Sequence, residues 1–200
     1  MGSLLLLRGV RSGTRLLNDT YTDPDATLIT AHTMDLGPGY TCAGAPTIVS
    51  NKATFTAATG VYQPAVAQAN QANIDLSMDV TGSFDSGLVY SLPAAVVRYL
   101  DDNNFWMIQL YAGGIYLYEK AAGVLTQRAT AAQTTTSGTV YALRVVALGT
   151  TITAYVDGVL KITYASAASS QTETKHGWVI VRDGASAAHA TIDNLLVIST

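Results

Sequence analysis

From residue 46 onward, apolar and polar residues alternate with a period of two, the pattern of strands that bury one face. No long stretch has the spacing of an amphipathic helix. The pattern therefore predicts an all-β chain, with strands at 47–49, 53–57, 73–81, 95–100, 105–111, 115–119, 124–129, 139–147, 151–156, 160–164, 177–182 and 190–198.

Turn residues separate many of these segments. Asp157-Gly158 lies between two alternating segments and predicts a tight hairpin, because both residues tolerate positive φ. Gly113-Gly114, the polar run 101–104 and Gly149-Thr150 predict three more turns. Since such short links join antiparallel neighbours, the strands should form meandering antiparallel sheets. The uncharged region 57–73 remains open between a short helix and a strand with a long loop.

The start of the chain differs from the rest. Residues 1–18 combine apolar and basic side chains with several glycines, and we predict an N-terminal arm that docks on other subunits. An edge strand of the same domain and a flexible start are the alternatives. Residues 19–200 are predicted to form one domain. The residues assigned to the assembly arm are Leu4, Leu5, Leu6, Leu7, Arg8, Arg11 and Arg15.

Composition narrows the function classes. The chain has 11 basic and 14 acidic residues, so it lacks the excess positive charge that binding to a nucleic-acid backbone requires. No window is apolar for the length of a membrane span. The single cysteine, Cys42, excludes an intrachain disulfide framework.

Three segments resemble the concanavalin A-like lectin and glucanase domains, particularly their laminin-G-like and carbohydrate-binding-module branches. They are VRYLDDNNFW at 97–106, YALRV at 141–145 with TITAYVDG at 151–158, and GWVI at 177–180 with ATIDNL at 190–195. The resemblance implies a two-sheet antiparallel jelly-roll sandwich. The opening segments DTYTD at 19–23 and LITAHT at 28–33 resemble domains of phage and other virion proteins.

The sequence argues against catalysis. Glucanases of the resembling fold use paired glutamates, which lie about 5 Å apart in retaining enzymes. This chain has only Glu119 and Glu173, far apart in sequence and without a Glu-x-Asp-x-x-Glu motif. Asp75 and Asp79 would share a strand face at a separation of roughly 13 Å, which is too far for a retaining pair. We therefore expect no enzyme activity.

Aromatic residues at strand spacing suggest a carbohydrate-binding surface, because sugar rings stack on aromatic faces and their hydroxyls bind amides and carboxylates. Tyr116 and Tyr118 share one face, and a second set comprises Phe105, Met107, Gln109 and Tyr111. The alternative is that these side chains are sandwich core. The predicted carbohydrate contacts are Tyr116, Tyr118, Trp106, Asp101 and Asn104.

The resemblance also implies a structural calcium ion near the chain ends, although no cofactor is required. Oxygen ligands would come from Asp19, Asp23, Asp25 and Asp193. The alternative places Asp23 and Asp25 in a turn and Asp193 beside a bulge.

Together these features predict a non-enzymatic viral structural protein, a capsid decoration or tail-associated component on the virion surface. Its partners would be other virion subunits or copies of itself, and its outward-facing jelly roll would be placed to bind host or environmental glycans. An extracellular carbohydrate-binding module is the second hypothesis, and a divergent glycoside hydrolase is the third.

Overall fold

The predicted all-β sandwich is confirmed. A computed structural model describes residues 12–55, 62–84, 90–183 and 189–200, in which strands are the only long elements. No helix in these ranges is long and apolar enough to cross a membrane. The strands are β1 (Arg15–Asp19), β2 (Thr47–Ile48), β3 (Ala53–Thr54), β4 (Ala65–Gln68), β5 (Ile74–Thr81), β6 (Tyr90–Asp101), β7 (Asn104–Tyr111), β8 (Gly114–Ala121), β9 (Val124–Ala132), β10 (Val140–Leu148), β11 (Thr151–Val156), β12 (Val159–Tyr164), β13 (Lys175–Asp183) and β14 (Thr191–Ser199).

Two antiparallel sheets pack face to face. One sheet has eight strands and runs β12-β11-β10-β5-β14-β3-β2, with β1 also paired to β14. The other has six strands in the order β4-β13-β6-β7-β8-β9. Strands β10 to β12 and β6 to β9 are successive hairpins, whereas β4, β13 and β14 join their sheets through long connections. This mixture of hairpins and crossovers gives the sandwich its jelly-roll character.

The hairpins follow the turn residues. Asp157 and Gly158 have φ values of 51° and 81°, the left-handed conformation that a tight β11–β12 turn needs. The β7–β8 turn sits one residue earlier than predicted. Gly113 supplies its positive φ of 77°, while Gly114 is already the first residue of β8 and lies opposite Tyr111.

Two strands resolve alternatives that the sequence left open. Strand β1 begins within the predicted arm and ends at Asp19, one residue beyond the proposed boundary at residue 18. It pairs with β14 and buries Leu17 completely, while Arg15 at its start stays exposed. The other arm residues, Leu4, Leu5, Leu6, Leu7, Arg8 and Arg11, lie outside the described residues. Strand β4 occupies the region left open between helix and strand.

Strand β6 begins well before the predicted strand at 95–100 and includes Pro93. Proline has no N–H to donate to a sheet ladder and normally marks an edge or a strand end. Pro93 instead lies inside β6, opposite Ile180 of β13. The alternation is also hidden there, since the run Ser91–Arg98 is buried on both faces.

Strand β4 sits close enough to β13 that only glycine fits at one position. A Cβ added to Gly177 would lie 2.0 Å from the carbonyl oxygen of Ala65 and 2.9 Å from the Cα of Val66. Backbone atoms cannot yield as a flexible side chain can. Gly177 therefore sets the spacing between β13 and β4, the edge strand that follows Tyr62.

We predict that Gly177→Ala destabilises the protein by about 3 kcal/mol, because the added methyl forces β4 away from β13. Gly158→Ala is the matched control: its Cβ would meet nothing within 4 Å, so only the φ strain of about 1 kcal/mol applies. Denaturant unfolding of both variants measures the difference. Equal losses of unfolding free energy would contradict the steric argument.

Candidate functional site

The six-stranded sheet has one face toward the eight-stranded sheet and one that points away from it, the outward face. Trp106 of β7 points inward: its ring centroid lies 5.7 Å from that of Tyr164 in the opposite sheet. Because side chains alternate along a strand, Met107 and Gln109 point the other way. Residues directly opposite each other in antiparallel strands share a face, so Gln109 faces outward together with Tyr116 of β8 and Ala94 of β6.

A groove of about 240 Å³ lies on this outward face. Its lining comes from β6, β7, β8 and β13 and from the segment before β4. We call it the tyrosine groove and define it by its described lining residues: Tyr62, Tyr90, Leu92, Gln109, Tyr111, Tyr116, Tyr118 and Val181. Five of the eight are tyrosines, and none is acidic or basic at neutral pH.

The tyrosine rings touch one another in sequence along the groove. Tyr90 and Tyr111 meet edge to face with centroids 5.7 Å apart, and Tyr111 meets Tyr116 edge to face at 6.1 Å. Tyr116 and Tyr118 are stacked at 6.1 Å with an interplanar angle of 19°. Such aromatic pairs restrain the rings and so present a preformed surface.

The tyrosine hydroxyls are suited to hydrogen bonding. Burial raises the pKa of Tyr62, and burial together with the neighbouring tyrosines raises the pKa of Tyr118. Both phenols therefore stay protonated at physiological pH and can donate as well as accept. The groove thus combines apolar ring faces with uncharged polar groups.

Gln109 lies on the floor of the groove and is only 5% exposed. Its Nε2 has no hydrogen-bond partner among the described residues. A buried donor without a partner costs about 1–3 kcal/mol, so it needs a reason to be there. A ligand in the groove would supply one.

The predicted carbohydrate residues separate into two groups. Tyr116 and Tyr118 lie in the tyrosine groove. Trp106 does not, because it is 1% exposed on the core face and its Nε1 donates to the Ser169 carbonyl oxygen at 3.0 Å. Asp101 and Asn104 close the β6–β7 turn, where the Asn104 amide donates to the Asp101 carboxylate at 2.8 Å.

The sequence argument missed Tyr62 and Tyr90 and left Gln109 and Tyr111 in a separate set. The hairpin itself could have joined that set to Tyr116 and Tyr118. A two-residue turn at either 112–113 or 113–114 pairs the odd positions of β7 with the even positions of β8. Tyr62 precedes β4, which joins its sheet through a long connection, and Tyr90 begins β6, ahead of the strand predicted at 95–100.

The four aspartates predicted to bind calcium do not form a ligand set. Among the residues that the structure describes, no group of three or more His, Cys, Asp or Glu side chains is placed to hold a metal ion. Asp25 accepts a hydrogen bond from the Ser50 N–H, and Asp193 accepts one from the Asn194 N–H. Asp19 and Asp23 bind His32. Calcium binding as such stays a prediction.

Asp19, His32 and Asp23 form a polar cluster at the end of β1, in which Asp19 and His32 are buried and Asp23 is partly exposed. Nε2 of His32 lies 2.8 Å from Oδ1 of Asp19, and Nδ1 lies 2.7 Å from Oδ2 of Asp23. A neutral imidazole has one N–H and could donate to only one carboxylate, whereas the protonated ring donates to both. We therefore expect the imidazolium form, which can donate to both carboxylates.

The titration of the cluster follows from this geometry. Burial alone would lower the pKa of His32, but its hydrogen bonds to Asp23 and Asp19 outweigh burial and raise it above 6.5. Burial raises the pKa of Asp19, which opposes the ion pair. We expect the imidazolium to prevail because it satisfies carboxylates on both sides.

We predict that His32→Gln destabilises the protein by about 3 kcal/mol at pH 6, because it leaves the buried Asp19 carboxylate without a cation. The folded pKa of His32 is raised, so its stabilisation is complete below 6.5 and is lost as pH rises through the folded pKa. The loss caused by the variant should therefore shrink toward pH 9. Chemical unfolding at a series of pH values measures it.

Subtracting the variant from the wild type isolates His32 from the other histidines. His176 has the opposite behaviour: burial lowers its pKa to about 4, so its contribution is lost as pH falls below 6.5. A difference between wild type and His32→Gln that stays constant from pH 6 to pH 9 would show that His32 is neutral in the folded protein.

Comparison with solved structures agrees with the fold. The carbohydrate-binding module CBM66 from Bacillus subtilis superposes with a TM-score of 0.65 at 16% identity, covering 82% of this chain and 97% of the module. A Bacillus licheniformis β-glucanase gives 0.64 at 11% identity, covering 95% of this chain and all of the enzyme. A Bacillus subtilis protein of unknown function with a galectin-like fold gives 0.64 at 10% identity, covering 94% of this chain and 97% of its own.

No protein-family model and no curated protein sequence matches the chain. At these low identities the structural neighbours establish the fold alone. The chain therefore has the jelly-roll fold shared by a carbohydrate-binding module and a glucanase.

Proposed function

We propose that this chain is a non-catalytic carbohydrate-binding domain and that the tyrosine groove is its binding site. One observation carries the proposal: five tyrosines and one buried amide converge on the outward face of a single sheet. Aromatic faces that stack on sugar rings, together with a few polar groups that orient them, are what a saccharide site requires. The fold is compatible with this function.

Binding is favoured over hydrolysis because the described lining residues of the groove include no acid. Glycosidases need two carboxyl groups on opposite sides of the scissile bond. None of the described lining residues carries a carboxyl group. Glu119 is held elsewhere, by an ion pair from Arg128 at 2.6 Å and by a hydrogen bond from Ser169.

We predict that Tyr116→Ala weakens saccharide binding about tenfold, because it removes one stacking face and also the ring on which Tyr118 stacks. Tyr155→Ala is the matched control. Tyr155 is half-buried on the outward face of the eight-stranded sheet, where it packs under the Arg144 guanidinium at 4.8 Å. Screening a glycan array and then titrating the hits by calorimetry measures both variants. Equal losses in the two variants, or none in either, would place the site elsewhere.

The assembly role is a second proposal, and it is supported by the sequence alone. The apolar and basic arm would dock on virion subunits or on copies of this chain, and the virion surface would be its location. A carbohydrate-binding groove is compatible with either a virion component or a free module. The arm therefore needs its own test.

We predict that the full chain self-associates or binds capsids, and that a chain beginning at Ser12 does not. The cut is placed before β1, because a later one would remove the buried Leu17 and unfold the sheet edge. Size-exclusion chromatography with light scattering compares the two. Identical monomers that also fail to bind capsids would refute the assembly role without touching the groove.

A further inference from the structure

We infer that the tyrosine groove selects an uncharged, hydroxyl-rich saccharide and that Gln109 is the residue that determines this specificity. The inference rests on the proposed function and adds to it the chemical class of the ligand.

The described lining of the groove is uncharged. The groove's described lining residues are five tyrosines, a glutamine, a leucine and a valine, and none of them carries a charge. A carboxylated or sulfated saccharide would have to leave water without gaining a cation on the groove floor. Loss of hydration without ion pairing is strongly unfavourable, so an anionic ligand would be penalised.

Lys120 is a charged residue near this lining. Its Nζ lies 5.6 Å from the ring centroid of Tyr62 and 5.5 Å from that of Phe105. The ammonium group is thus already placed over two aromatic faces, an arrangement that is favourable without any anion. Lys120 belongs to the support of Tyr62, and its removal gives a direct check on whether it also recruits anions.

A second feature of the groove is the position of Gln109. It lies in the middle of the outward face, between Ala94 on one side and Tyr116 on the other. Gln109 is nearly buried, and its Nε2 has no partner among the described residues. It is the one amide among otherwise aromatic and aliphatic lining residues.

A hydroxyl group is the natural complement of this amide. An amide offers a donor on one side and an acceptor on the other, and a hydroxyl can both donate and accept. Rotating the amide by half a turn exchanges the positions of its donor and its acceptor. An ether or a hydrocarbon could not satisfy both orientations, and a carboxylate could satisfy only the donor.

The experiment uses the full chain and isothermal titration with matched oligosaccharides. Each neutral oligosaccharide is compared with a counterpart of the same length and linkage that carries uronic acids or sulfate. We expect the neutral member to bind at least tenfold more tightly. Equal or tighter binding of the anionic member, abolished by Lys120→Gln, would overturn the inference.

Variants at Gln109 test its role separately. Gln109→Leu should bind the neutral ligand about tenfold more weakly, the effect of about one net hydrogen bond. Gln109→Glu should lose at least as much at pH 8 and recover as pH falls toward 4, because a protonated carboxyl is neutral and can donate. Wild type measured at both pH values is the control, and a purely structural role for Gln109 would not produce this recovery.

The two proposals fail in different ways. If no saccharide of either charge binds, or only proline-rich peptides do, the proposed function is wrong. If a saccharide binds and Tyr116→Ala weakens it, but both Gln109 variants bind normally, the groove stands and the role of Gln109 is wrong. Thermal unfolding of each variant verifies folding, and the comparison of neutral with anionic ligands needs no variant at all.

Discussion

The structure depends on the strict alternation of side chains along β6, β7 and β8. The same three strands supply both the core and the outward groove, so each must satisfy two environments at once. Trp106 and Ile108 fill the space between the sheets, while Met107 and Gln109 point the other way. A slip of one residue in the β7–β8 register would exchange these sets, burying tyrosine hydroxyls and exposing the core. The register that keeps the sandwich stable is therefore also the register that assembles the groove.

Several buried polar groups elsewhere in the sandwich are paired, although the Ser77 hydroxyl, like the Gln109 amide nitrogen, has no hydrogen-bond partner among the described residues. His32 lies between two carboxylates. Arg98 is fully buried in a bulge of β6 with a φ of 55°, and its guanidinium donates to the carbonyl oxygens of Ala72 and Ala167. The backbone N–H of Arg98 donates to Nδ1 of His176. Nε2 of His176 in turn donates to the Gln71 carbonyl oxygen. Gln109, on the floor of the groove, has an amide nitrogen without such a partner.

Local pattern was sufficient for most of the fold. Period-two alternation located the long strands, and the Asp157-Gly158 turn fixed one hairpin, because both signals arise from neighbouring residues.

The site was only half predictable. Tyr116 and Tyr118 share a strand and were found together, but Trp106 was assigned to the wrong face because aromatic character says nothing about orientation. Tyr62 and Tyr90 could not be placed, since Tyr62 lies outside the strands, before β4, and Tyr90 lies at the start of β6, ahead of the predicted strand. The aspartates near the start were assigned to calcium because the family resemblance implies an ion near the chain ends, whereas in the structure Asp19 and Asp23 contact His32.

The central claim is that a saccharide lies across the outward face of the six-stranded sheet. Solution NMR with assigned side chains tests it most directly, by titrating the full chain with a neutral oligosaccharide. We expect chemical-shift changes in the Gln109 side-chain amide and in the rings of Tyr111, Tyr116 and Tyr118. The signals of Trp106 and Tyr155 should stay unchanged. Shifts confined to the eight-stranded sheet or to the β6–β7 turn, with the Gln109 amide unmoved, would contradict it.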